Sequence, residues 1–136
     1  MENISYHGTS KEKASSVIKS IDLSLGRGEL GKGFYTGTSI AMATIWARRK
    51  FRSNPAVVEF EIDKSKFVLL EGYVIGSREK VWTVWKGLMG NCTTTSHTFG
   101  KDYVIAPFAK NDVGHQIKFE SPKAAEELNN STKVIY

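Results

Sequence analysis

Apolar positions recur at two spacings along this chain, and those spacings separate helices from strands. Residues 3–7 predict a short strand. Behind a Thr9–Glu12 capping box, Ala14, Val17, Ile18 and Ile21 fall at helical spacing and predict a helix near 10–21. Leu23 to Lys32 carries Gly26, Gly28 and Gly31 and reads as a mobile loop. Phe34-Tyr35-Thr36 is a short strand. Ser39 caps a second helix at about 40–51, burying Ala41, Met42, Ile45 and Trp46, with Pro55 breaking it. Strict alternation follows over 56–62, with Val58, Phe60 and Ile62 on one face and Val57, Glu59 and Glu61 on the other.

Phe67 to Leu70 reads as a buried strand. Ser77 caps a third helix that gathers Val81, Val84, Trp85 and Leu88 on one face, and Asn91 to Gly100 is a polar loop. Tyr103 to Ala106 and Gln116 to Phe119 are strands, separated by Pro107 and the loop Lys110 to His115. Ser121 with Pro122 starts a last short helix, and Val134-Ile135-Tyr136 adds a terminal strand. Strands and helices mix without strict βαβ alternation, so the class is α+β, in one domain over residues 1–136.

Composition changes this picture little. Apolar residues make up 40% and charged residues 24%, ordinary values for a globular chain. The net charge of +5 favours anionic partners such as nucleic acid, a dinucleotide or an acidic protein face. Cys92 is the single cysteine, which excludes an internal disulfide and points to a reducing cytoplasm. No signal peptide or membrane span is read, and the Asn91-Cys92-Thr93 sequon has no weight without one. His97 and His115 lack metal-ligand spacing with Cys92, so no metal is expected.

Two segments carry candidate chemistry. One is Tyr6-His7-Gly8-Thr9, a histidine in a short apolar-glycine stretch; the other is Gly31-Lys32-Gly33-Phe34-Tyr35-Thr36, an aromatic pair flanked by glycines. Together they suggest a cleft that holds a flat ring between aromatic faces. Read singly, His7 is a structural histidine, Tyr35 a half-buried sheet aromatic, Trp46 a core residue and Gln116 a solvated strand residue. Glu120 shares a strand face with Gln116 and reads as a surface charge. Arg48-Arg49-Lys50-Phe51-Arg52 reads equally as a solvated helix end or as a nucleic-acid contact.

Taken in order, these segments resemble the ADP-ribosyltransferase superfamily of the histidine–tyrosine type, which includes diphtheria-type toxins and poly(ADP-ribose) polymerases. Gln116-Ile117-Lys118-Phe119 is similar to its third motif, where Glu, Asp or Gln opens a late strand. Closer still is a bacterial family of uncharacterised ADP-ribosyltransferase-like domains. Trp46-Ala47 and the run from Asp102 through Ile105, Pro107, Ala109 and Asn111 to Asp112 are similar to its pattern, and the resemblance covers Tyr6 to about Leu128.

The resemblance implies two small, highly curved sheets with NAD between them. It implies His7, Tyr35 and Gln116 as catalytic residues, and His7, Gly8, Thr9, Gly33, Phe34, Tyr35 and Trp46 as the NAD-binding set. His7 would bind a ribose hydroxyl, Gly8 the carboxamide of nicotinamide, Tyr35 and Trp46 its ring, and Gln116 the ribose or the nucleophile. Ala43 stands where the polymerases use a serine. The implied activity is mono-ADP-ribosylation of a protein or nucleic acid, with nicotinamide released, in a bacterial toxin or phage effector that would have an antitoxin as a further partner. The alternatives are an NAD glycohydrolase, an RNA phosphotransferase, and a non-catalytic module that binds ADP-ribose or nucleic acid. Gln116 cannot act as a base near neutral pH; it can only orient and hydrogen-bond.

Overall fold

The alternation of 56–62 is realised in full and organises the molecule. In the computed structural model, which describes residues 3–24, 26–111 and 113–136, Pro55–Glu61 forms a central strand, β5. Before it come β1 (Ile4–Ser10), α1 (Lys11–Lys19), β2 (Arg27–Gly28), β3 (Gly31–Lys32), β4 (Phe34–Gly37) and α2 (Ile40–Lys50). After it come α3 (Lys64–Phe67), β6 (Gly72–Val74), α4 (Arg78–Gly90), β7 (Tyr103–Pro107), β8 (His115–Phe119), α5 (Pro122–Asn129) and β9 (Thr132–Ile135).

The class is α+β: a mixed seven-stranded sheet ordered β6-β7-β8-β4-β1-β5-β9, a two-stranded β2–β3 ribbon, and five helices. Every pairing in the large sheet is antiparallel except β6 with β7. The β1–β5 ladder runs unbroken from Ile4 opposite Glu61 to Ser10 opposite Pro55. By contrast, β1 and β4 share one register pair, Tyr6 opposite Gly37. From His7 onward, β1 has ladder partners on β5 alone.

One face of the sheet carries the main core. Phe34, Val58, Phe60, Ile117 and Phe119 pack there with Ala14 of α1, Phe67 of α3 and Ala124 and Leu128 of α5. The other face carries a smaller core in which Leu30, Ile75, Val81, Val104 and Ala106 gather under α4. On that same face α2 lies over β1, so close that a Cβ on Gly8 would stand 2.4 Å from the Ala43 carbonyl oxygen. This crossing explains why α2 buries Ala43 and Ala47 rather than the residues expected: Ile45 and Trp46 are 42% and 56% exposed. Only small side chains let a helix approach a strand backbone this closely.

Other expectations are corrected. The cap of α1 is Ser10, whose Oγ accepts from the Lys13 amide at 3.2 Å. Thr9 instead stays in β1, and Glu12 engages the Asn54 side chain. Phe67 to Leu70 is no strand. Asp63 caps α3 by accepting from the Ser65 amide at 2.9 Å, and the turn buries Phe67 and Leu70 while exposing Val68 and Leu69. Pro55 opens β5, five residues beyond the end of α2, rather than breaking that helix. The stretch expected as a mobile loop contains the β2–β3 ribbon, and β6 forms where no strand is predicted. Asp112, the last residue of the pattern beginning at Asp102, lies outside the described residues. No helix among the described residues is long and apolar enough to cross a membrane.

Candidate active site

Where β1 and β4 part, the side chain of His7 takes the place of a backbone ladder. Its Nδ1–H donates to the Tyr35 carbonyl at 2.7 Å, and its ring stacks on Phe34 with centroids 4.4 Å apart. A carbonyl only accepts, so the proton is on Nδ1 and Nε2 carries the free lone pair. Burial pushes the imidazole below its ordinary pKa of 6.5. The Tyr35 carbonyl opposes that shift, and the nearby charges of Lys50 and Lys13 add to it. The ring is therefore neutral near pH 7, with one acceptor to offer.

Gly8 and Tyr35 belong to the face that carries α2 and α4. The ideal Cβ position of Gly8 is 3.3 Å from Trp46 Cδ1, so the exposed indole stands at the edge of β1. The phenol of Tyr35 turns away from His7. It lies over Gly28, donates to the Gly31 carbonyl at 2.5 Å and accepts from the Leu30 amide at 3.1 Å. Burial raises its pKa far above the usual phenol value, so it is a neutral, committed hydroxyl. The structure thus brings the His7 imidazole onto the Tyr35 backbone while sending the Tyr35 side chain to the β2–β3 ribbon.

Gln116 pairs with Gly37 of β4 and is 3% exposed. Its Nε2 donates to Glu29 Oε1 at 2.9 Å and to the Pro107 carbonyl at 3.1 Å. Both amide hydrogens face acceptors, which leaves Oε1 as the uncommitted atom. Glu29 sits in the two-residue turn of the β2–β3 ribbon and also accepts from the Ala109 amide at 2.8 Å. A carboxylate is thus placed beside position 116 by a segment 87 residues away in sequence. No local pattern marks it, because a glutamate in a glycine-rich stretch reads as a solvated loop residue.

The next residues on the same face of β8 complete a polar line. Lys118 is fully buried; its Nζ donates to the Leu30 carbonyl at 2.7 Å and pairs with Glu120. Glu120 in turn accepts from the Phe99 amide at 2.9 Å and the Lys101 amide at 3.3 Å. It is a buried anchor, not the surface charge expected. Desolvation holds the Lys118 ammonium below its ordinary pKa, with Glu120 opposing.

The remaining candidates are structural in position. Thr9 and Phe34 are buried, Phe34 with its edge against Phe60, and a Cβ on Gly33 would meet Lys118 Cγ at 2.6 Å. Two surface cavities, of about 240 and 490 Å³, lie elsewhere; the first is lined by residues around Asp102, the second by α4 and the loop through His97. Neither is lined by His7, Tyr35 or Gln116. Among the described residues no three His, Cys, Asp or Glu side chains gather as a metal site. No protein-family model matches the chain, and no curated protein matches it in sequence.

Proposed function

We propose that this chain is an NAD-dependent mono-ADP-ribosyltransferase whose site lies where β1 and β4 part, between α2 on one side and the β2–β3 ribbon on the other. On this reading the two groups of strands on either side of the Tyr6–Gly37 pair are the two small sheets that the motif resemblance implies. The observation that carries it is the fixing of the His7 ring through Nδ1 on the Tyr35 carbonyl, which leaves Nε2 as the atom to meet a sugar hydroxyl. The exposed indole of Trp46, at the edge of β1, gives a flat ring a stacking surface. A stacked aromatic pair is worth about 0.5–1.5 kcal/mol.

NAD, as substrate, supplies a ribosyl group on a good leaving group, and transfer to an acceptor releases nicotinamide and a proton. Positive charge develops on the ribose as the glycosidic bond breaks, as in glycoside hydrolysis. Gln116 Oε1 is a fixed dipole of the right sign for that charge, and Glu29 adds a formal negative charge behind it. In this arrangement Tyr35 contributes its backbone carbonyl and ring, since its hydroxyl is already committed.

A second reading, a non-catalytic ADP-ribose reader, is favoured by the lack of any acid at position 116. Release of nicotinamide from NAD in the presence of a cell lysate separates the two. The transferase releases it and labels a macromolecule, and His7→Asn, which keeps a donor for the Tyr35 carbonyl, lowers turnover at least tenfold while the protein stays folded. A glycohydrolase yields free ADP-ribose with no labelled polymer. Tight ADP-ribose binding with no release from NAD establishes the reader and removes the transferase.

A further inference from the structure

The C-terminal end of α2 presents cations in a form the proposed chemistry at His7 does not use. Arg48, Arg49, Lys50 and Arg52 are all exposed, and Lys11 and Lys13 of α1 adjoin them through the turn at Phe51 to Asn54, where the Lys11 amide donates to the Asn54 carbonyl. Among the described residues none of these six cations reaches a carboxylate within salt-bridge distance; the ion pairs found are Lys101–Glu71 and Lys118–Glu120. The one acid within this group, Glu12, is hydrogen-bonded to Asn54. The cations lean on rings instead. Lys50 Nζ lies 5.4 Å from the Trp46 ring centre, and Lys13 Nζ lies 4.8 Å from that of Phe51.

We infer that this surface, Trp46 with the cations around Phe51, docks single-stranded nucleic acid, with phosphates on the Arg and Lys side chains and a base on the indole. Unpaired cations beside an open aromatic face are the combination that holds a strand without reading its sequence. A lipid interface fits less well. At this end of α2 the exposed bulky apolar groups are Ile45 and Trp46, too little area for an interfacial helix but enough to stack a base. The surface also runs into the candidate active site. Trp46 borders Gly8, and the charges of Lys50 and Lys13 are felt at His7. As a binding surface it stands independently of the transferase reading; as the place where the acceptor polymer arrives, it rests on that reading.

Fluorescence anisotropy with labelled strands of about 12 nucleotides, RNA and DNA, tests it, with a matched duplex and phosphatidylserine vesicles as further arms. Single strands should bind without NAD, and log affinity should fall with log salt by about 0.7 for each phosphate engaged. The triple variant Arg48→Gln, Arg49→Gln, Arg52→Gln should bind at least tenfold more weakly with a flatter salt slope. Lys64→Gln, Lys66→Gln, Lys80→Gln, which removes equal charge from exposed positions on α3 and α4, should lose less than about twofold. Trp46→Ala should cost single strands about tenfold and a duplex much less. A preference between RNA and DNA names the polymer and supports the surface either way.

The inference is overturned by absence of binding at about 50 mM salt, by equal losses in the two triple variants, or by vesicles binding more tightly than nucleic acid. Because these titrations contain no NAD, a protein that releases nicotinamide yet binds no strand loses this surface and keeps its transferase reading. The reverse result does the opposite.

Discussion

The imidazole of His7 owes its state to a single acceptor, the carbonyl of Tyr35. Being neutral in the fold has a consequence for stability. Its folded pKa lies below the unfolded value near 6.5, so between those two values the unfolded chain binds more protons. Stability is then fullest above pH 6.5 and declines as the pH falls through that value toward the folded pKa. His7→Asn keeps a donor for the carbonyl but does not titrate. Urea denaturation at pH 8 and pH 5 should therefore show the wild type losing more stability than the variant on acidification; equal losses would mean the ring is charged in the fold. At this scale the sequence named His7, Gly8, Tyr35 and Gln116 but not their partners. The bond from His7 reaches across 28 residues and the one from Gln116 across 87, distances over which side-chain patterns carry no signal.

Helix starts were the most legible elements, because a cap is a local bond. Ser39, Ser77 and Ser121 each accept from an amide three residues on, as their positions before apolar runs predict. Helix faces were less legible. In α2 the large apolar residues are outward because the inward side must clear the backbone of Gly8, a constraint set by another element. Phe67 to Leu70 misread for a related reason, since four apolar residues in a row do not distinguish a strand from one turn of helix. The polar line on β8 was hidden as well. Lys118 and Glu120 look like solvated charges, yet they tie β8 to the Leu30 carbonyl and to the loop at Phe99. Lys118→Met should destabilise the fold by about 3–5 kcal/mol, since it leaves Glu120 buried without its cation. Adding Glu120→Gln should recover part of that loss in a double-mutant cycle. A loss under 1 kcal/mol for Lys118→Met alone would show that the pair is solvated.

Across the molecule, the α+β class and most strands followed from periodicity, whereas the joining of the sheet did not. The separation of β1 from β4 beyond Tyr6 and Gly37 leaves this the least paired seam among the central strands. If NAD seats there, hydrogen–deuterium exchange should slow at residues 7–10 and 34–37 when it is added, with α5 unchanged. Uniform or absent protection would place binding elsewhere. The order of the strands gives this seam a further property. The chain starts on the β1–β5–β9 side, crosses to β4, returns for β5, crosses again for β6 to β8, and ends on β9. Each lobe is woven from pieces that the other interrupts, so neither can be cut out as an autonomous fragment. Drawing the two groups of strands apart would load several chain crossings at once, so this seam is tied by connectivity as well as by its one register pair.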